Sequence, residues 1–267
     1  MSTNEHGTPR IIAIVNQKGG VGKSTTAVNL GASLALMGRR VLLVDIDPQG
    51  NTTTGVGIDK RTIEADSYSV LLDGVPIADV VQPTAVENLW ILPATLALAG
   101  AEIELVNTER REHRLHDALL PAGADYDIVL IDCPPSLGLL TVNALAAAQE
   151  IIIPVQAEYY ALEGLSQLTT IVDRARAGLN PGLSILGVLI TMFDGRTRLA
   201  VEVLDEVNRF FPERVFHTQI PRNIRLSEAP SYGKPAVLFD PKSRGAQAYI
   251  ALARETLGGI GSVEVML

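Results

Sequence analysis

The chain has 267 residues, with 22 Lys plus Arg against 30 Asp plus Glu for a formal net charge of −8, and 47% of it is apolar while only 4% is aromatic. That length suits one large domain or two small ones, and so apolar a chain is not a disordered one; its core must rest on Ala, Leu, Val and Ile. The single cysteine, Cys133, excludes an internal disulfide framework and any cluster held by several thiolates of one chain, and it fits a reducing compartment.

In chain order, the polar opening Met1–Pro9 lacks the basic start and apolar stretch of a secretory signal, and residues 1–9 are expected to form a flexible tail. Ile11–Val15 is a continuous apolar run, expected as a buried strand. It leads into Lys18-Gly19-Gly20-Val21-Gly22-Lys23-Ser24-Thr25, which opens an Ala- and Leu-rich helical pattern from Thr25 to Met37, closed by Gly38. A phosphate chain needs backbone N–H groups converging on it, and glycines let the backbone approach closely. Lys23 then reaches the β- and γ-phosphates, and the Ser24 hydroxyl suits Mg²⁺. The ordinary spacing G-x-x-x-x-G-K-[ST] asks for a glycine where this chain has Gln17, and Lys18 is an extra lysine. A dinucleotide loop is a poorer fit, because the third glycine it needs is missing.

Val41–Val44 is the second expected strand, ending in Asp45-Ile46-Asp47-Pro48-Gln49-Gly50-Asn51. Ligands of open α/β sheets bind beyond the carboxyl ends of the strands, so Asp45 and Asp47 are both expected near the phosphates. Residues 55–120 are less regular, with Leu89–Leu92 a weak strand candidate, and read as an insertion or lid. Ile128–Ile131 ends in Asp132-Cys133-Pro134-Pro135, a third carboxylate at the same edge, suited to serve a metal directly or through water. Cys133 reads as a small buried hydrophobe.

The apolar stretch Leu137–Val155 is interrupted by Asn143, Gln149 and Glu150 and is no membrane span. Beyond it come a strand at Ile151–Ile153, a helical pattern at Leu162–Ala177, a strand at Ile185–Ile190 and a helical pattern at Leu199–Phe211. A weak strand candidate at Val215–Ile220 and a last helical pattern at Ala246–Leu257 follow. Strands that are apolar throughout, alternating with helices, predict an α/β fold with a mostly parallel sheet covered on both faces. Residues 10–257 are expected to form a single domain. The segment 258–267 reads as a flexible tail, too rich in glycine and too poor in Lys and Arg for a basic membrane-docking helix. His6, His113, His116 and His217 suggest no ligand cluster, and Trp90 belongs to no stacking pattern for single strands.

Charge is unevenly shared. From Met192 to Ile250 nine basic residues stand against seven acidic ones, a local +2 in a chain of −8. Binding DNA without sequence preference needs only several cations facing phosphates. No helix-turn-helix or zinc finger is evident, so base-specific reading is not expected.

Read together, Lys18–Thr25, Val41–Asn51, Ile131–Ser136, Thr191–Asp194 and Ile220–Ser231 resemble the ParA/Soj family of chromosome- and plasmid-partitioning ATPases. That family belongs to the deviant Walker A class of P-loop proteins, with MinD and the nitrogenase iron protein as relatives; the likeness runs from Arg10 to about Leu257. It implies a P-loop NTPase fold, a mostly parallel twisted sheet flanked by helices on both faces. It implies ATP and Mg²⁺, with Gly19, Gly20, Val21, Gly22 and Thr25 in the phosphate loop, Lys23 at the β- and γ-phosphates and Ser24 on the metal. Lys18 would reach the partner's phosphates across a dimer interface, Asp47 would position the attacking water, and Asp132 would hold Mg²⁺ through water. Pro221, Arg222 and Asn223 would line the adenine, partly through backbone groups. Arg196 and Arg225 match DNA contacts proposed for the family, with Arg198, Lys234, Lys242 and Arg244 as additions. The implied partners are a second copy of the chain, non-specific double-stranded DNA and a ParB-type centromere-binding protein, at the nucleoid in the cytoplasm and not at a membrane. Two alternatives stay open: a relative that positions protein cargo by the same cycle, and a nucleotide-gated scaffold or filament with incidental hydrolysis.

Overall fold

A computed structural model describes residues 8–122, 125–158 and 161–259, so the expected tails at 1–9 and 258–267 lie almost wholly outside the described residues. Seven strands form one sheet in the order β3-β4-β2-β5-β1-β6-β7. They are β1 (Arg10–Ile14), β2 (Val41–Asp45), β3 (Gln82–Pro83), β4 (Leu89–Leu92), β5 (Ile128–Asp132), β6 (Glu150–Gln156) and β7 (Ser184–Thr191). Every neighbouring pair is parallel except β3 with β4 at the edge. The helices are α1 (Lys23–Leu36), α2 (Asn51–Gly55), α3 (Ile77–Val80), α4 (Leu98–Glu104), α5 (Arg114–Ala122) and α6 (Leu139–Ala147). They continue with α7 (Ala161–Gly178), α8 (Arg198–Phe210), α9 (Ile224–Glu228), α10 (Ala236–Phe239) and α11 (Arg244–Gly258).

The unbroken apolar strands have a direct cause. Successive side chains of a strand point to opposite faces, and here each face has its own core. Ile11, Ala13 and Val15 of the first strand region join Leu98, Leu115, Leu140, Leu165 and Val203 on one side. Ile12 and Ile14 join Leu30, Leu34, Tyr249 and Leu252, from α1 and α11, on the other. Cys133 is fully buried in the first of these cores, as a small hydrophobe would be.

Two expectations change. Residues 55–120 are not a lid. β4 runs parallel to β2 from Val41↔Leu89 to Val44↔Leu92, and Leu71, Leu98, Leu105 and Leu115 lie in the core. Val215–Ile220 is not a strand. It meets β7 at the isolated bridge Val188↔Val215 and again through the Ile220 amide on Ile190 (2.9 Å), but between these the amides of His217 and Thr218 turn away to the Glu255 carboxylate of α11 at 2.7 and 3.0 Å. The apolar stretch from Leu137 holds a helix, α6, ahead of β6. Among the described residues no helix is long and apolar enough to cross a membrane.

Candidate nucleotide-binding site

The loop joining β1 to α1 owes its path to its glycines. Gly20 (φ +76°) and Gly22 (φ +93°) occupy the left-handed region, which a β-carbon makes costly. A β-carbon at Gly19 or Gly20 would meet nothing within 4 Å, so the loop faces open space where a ligand can come close to its backbone. Gly22 caps α1 without a side-chain hydrogen bond, which leaves the helix N-terminus and its dipole available to an anion. Two side chains pin the loop from behind. Asn16 donates from Nδ2 to the Pro154 carbonyl (2.7 Å) and accepts the Lys18 amide (2.9 Å). Thr191, at the end of β7, donates to the carbonyl of the buried Val21 (2.8 Å).

Lys23 is only 7% exposed and its ammonium donates to the Lys18 carbonyl at 3.3 Å. Burial pulls its pKa down, and the charges of Asp132 and Asp47 oppose that pull. The Lys18 side chain points elsewhere: its Nζ pairs with Glu158 at 2.7 Å, both side chains being 46% exposed.

The carboxylates separate by depth. Asp47 is 5% exposed, accepts the Gln49 amide at 2.9 Å and lines the cavity. Asp45 and Asp132 face each other in register on β2 and β5, both fully buried. Adjacent threonines of α2 hold one each: Thr52 Oγ1 donates to Asp132 (2.7 Å), while Thr53 donates to Asp45 from its amide (2.8 Å) and its hydroxyl (2.7 Å). Burial raises both pKa values; Asp132 raises Asp45 further, while the Thr52 and Ser24 hydroxyls pull Asp132 back. The expectation that Asp45 would stand near the phosphates is therefore corrected. With Thr53 on one oxygen and the Asp47 amide on the other (3.2 Å), it is a structural anchor.

One cavity of about 540 Å³ gathers most of the predicted residues, while Lys18, Val21 and Asp132 are not among those lining it. Gly19, Gly20, Gly22, Lys23, Ser24 and Thr25 line one wall, Asp47 and Pro135 another, and Pro221, Arg222 and Asn223 a third. Sequence reasoning missed three contributors. Asn29 of α1 lines the cavity and accepts the Ala236 amide (2.7 Å); Met192 turns with φ +51° at the end of β7; and the exposed Lys234, named above only as an additional DNA contact, also lines the cavity. Met192 lies in the Thr191–Asp194 motif and Lys234 three residues beyond the Ile220–Ser231 motif, but nothing in their type signals a cavity wall.

Arg196 and Arg225 are each engaged by neighbouring carboxylates. Arg196 is 91% exposed and forks onto Asp194 at 2.9 and 2.7 Å, whereas Arg225 is held by Glu228 (2.7 Å) and Asp240 (3.2 Å). Among the described residues no group of three or more His, Cys, Asp or Glu would cage a metal alone. A magnesium ion that keeps its waters and leans on phosphates needs no such cage. Asp132 Oδ1 is buried without a hydrogen-bond partner, and the Ser24 hydroxyl lies near enough to lower its pKa, so the donor set fits Mg²⁺ held by Ser24 with Asp132 behind a water.

A family profile described as an AAA domain matches residues 9–185. The chain is 59% identical over 246 residues to the sporulation initiation inhibitor protein Soj of Bacillus subtilis, covering 92% of this chain and 97% of that protein. It is 56% identical over 248 residues to the chromosome partitioning protein ParA of Myxococcus xanthus, covering 93% and 88%. Among solved structures, cobyrinic acid a,c-diamide synthase from Mycobacterium smegmatis with bound ADP and magnesium superposes with a TM-score of 0.83 at 39% identity, covering 94% of each chain.

Proposed function

Because the chain belongs to the ParA/Soj family of partitioning ATPases, we propose that it works as a DNA-partitioning switch: bound ATP drives two copies into a sandwich dimer, the dimer binds DNA without sequence preference, and hydrolysis releases it. The observation that carries this reading is the single cavity in which the glycine loop, Lys23, Ser24, Asp47 and the Pro221–Asn223 segment converge.

Phosphoryl transfer to water is catalysed mainly by positioning and charge neutralisation. Lys23 binds the β- and γ-phosphates from its recessed position, and the loop amides hold the chain of phosphates in place. Asp47 orients the attacking water. Pro221, Arg222 and Asn223 receive the base. Ser24, with Asp132 behind a water, would hold an Mg²⁺ ion, which when bound would neutralise phosphate charge. Lys18 exchanges Glu158 for the partner's phosphates and supplies a late positive charge, so that turnover requires two copies. Residues 10–257 act as one domain in this cycle. A ParB-type partner stimulates hydrolysis, and the protein works in the cytoplasm on the nucleoid.

The test is a gel-filtration and DNA-shift series with no nucleotide, ADP and ATP, using Asp47→Ala to block hydrolysis. The expected result is a dimer and a DNA shift with ATP alone, prolonged in Asp47→Ala. A species that stays monomeric and unshifted in every condition rejects the switch; a dimer that forms equally without nucleotide supports a scaffold.

A further inference from the structure

The composition of α2 does not favour a helix. Asn51-Thr52-Thr53-Thr54-Gly55 puts three β-branched residues and a glycine into five positions, and such residues are poor helix formers. Gly50, ahead of it, has φ +58° and offers no side-chain cap. The surroundings hold the turn instead. A β-carbon on Gly55 would stand 2.9 Å from Val28 of α1, and one on Gly50 would stand 2.7 Å from the Ala94 carbonyl, so the backbone packs directly against both.

This seat places two hydroxyls. Successive helical residues point about 100° apart, so Thr52 and Thr53 reach different partners, the carboxylates that end the neighbouring strands β5 and β2. The two grips differ in what they leave over. Asp45 has both oxygens satisfied, Oδ1 by the Asp47 amide and Oδ2 by Thr53. Asp132 has Oδ2 engaged by Thr52 Oγ1 at 2.7 Å, while its Oδ1 is buried without a hydrogen-bond partner. Thr52 and Asp132 are both fully buried. An ionised carboxylate only accepts, so the threonine donates, and a β-branched side chain holds its hydroxyl in few rotamers. A buried acceptor without a donor is costly, and a water on Mg²⁺ is such a donor. We propose that Thr52 is a positioning residue of the metal site: by donating to Oδ2 it fixes the rotation of the Asp132 carboxylate and keeps Oδ1 for the water-bearing Mg²⁺ beside Ser24. This rests on the reading of the cavity as an ATP and Mg²⁺ site. It also ties the metal to the water-orienting loop, because Thr52 follows Asp47 by five residues across a turn closed by the Gly50 amide on the Asp47 carbonyl (2.8 Å).

The experiment compares the affinity of the full chain for a fluorescent, non-hydrolysable ATP analogue in excess Mg²⁺ and in EDTA. The ratio of the two affinities is the strengthening that the metal supplies. Thr52→Val keeps the shape and removes the hydroxyl. It is expected to leave the affinity in EDTA unchanged and to shrink the ratio about tenfold, the size of effect that loss of a ligand-orienting partner has. Phosphate release by the same variant should need more Mg²⁺ and should recover as Mg²⁺ is raised, which a general distortion of the site would not give. Thr52→Ser restores the donor and should recover most of the ratio. Thr53→Val, on the neighbouring grip, should lower the melting temperature and leave the ratio alone. Where Thr52→Val melts below the assay temperature, Thr52→Ala, which removes the hydroxyl with less bulk, is measured in its place and should shrink the ratio in the same way. A wild-type ratio in either folded variant overturns the proposal. So does an equal loss in Thr53→Val, which would assign the effect to α2 as a whole. If the wild-type chain binds the analogue equally with and without Mg²⁺, the metal reading falls and this proposal with it; if it binds no analogue in either buffer, the nucleotide reading falls first.

Discussion

Lys18 and Lys23 stand five positions apart and meet opposite surroundings. Lys23 is recessed among carboxylates; Lys18 is half exposed and tied to Glu158. An exposed ion pair of this kind contributes little to stability, so Lys18→Ala should leave folding and nucleotide affinity intact while ATP-dependent dimerisation and turnover disappear. Normal dimerisation and turnover, measured by gel filtration and phosphate release, would reject the role across the interface. Asp45 supports a second prediction. Burial and the facing Asp132 raise its pKa, so the folded chain holds protons that the unfolded chain has lost. The stability linked to those protons is complete below the ordinary carboxylate range and declines as pH rises through the raised values. In magnesium-free buffer the melting temperature should therefore fall from pH 5 to pH 8, and Asp45→Asn, which removes one titrating group, should flatten the slope. A wild-type melting temperature flat across that range contradicts the assignment. The phosphate loop could be read from the sequence because glycine and lysine at fixed offsets have few other uses. The difference between Asp45 and Asp47 could not, because both stand at the end of the same strand and only Thr53 of α2 anchors Asp45 while Asp47 lines the cavity.

Among the elements, the long regular ones were legible and the short ones were not. α1 announces itself by composition and by Gly38, and β1, β2, β5 and β7 by unbroken apolar runs. Residues 55–120 offered Leu89–Leu92 only as a weak strand candidate and hid their packing into the core, because their helices are brief (α3 has four residues and α4 seven) and α5 contains Pro121. Val215–Ile220 has a strand's composition, but Glu255 on a distant helix captures two of its amides, a competition no local pattern reveals. A similar contact between distant elements caps α6. Its N-terminal residue, Gly138, has no capping side chain, and Glu102 of α4 instead accepts the Leu139 amide at 2.8 Å. Loss of a cap costs about 1 kcal/mol, so Glu102→Ala should lower the urea-unfolding free energy by about that amount, with Glu102→Gln recovering part of it. A value unchanged in both variants would show the contact to be incidental.

For the whole molecule, the separation of charge matters more than its total. The Met192–Ile250 segment is +2 while the chain is −8, so an approaching polyanion is repelled by the whole but meets less repulsion from this segment. Arg225→Glu should abolish DNA binding at low salt yet preserve ATP-dependent dimerisation, read by anisotropy and gel filtration on one preparation; undiminished DNA affinity would move the contact surface elsewhere. The sheet gathers the carboxyl ends of β1, β2 and β5 at one edge, and the two neighbouring threonines of α2 tie the last two together through Asp132 and Asp45. Thr53 also accepts the Ala94 amide at 2.9 Å, at the start of the segment that leads to α4 and its grip on α6. The turns after β2 and β5 are thus yoked, and a displacement felt at Asp47 has a continuous mechanical linkage to the opposite flank of the protein.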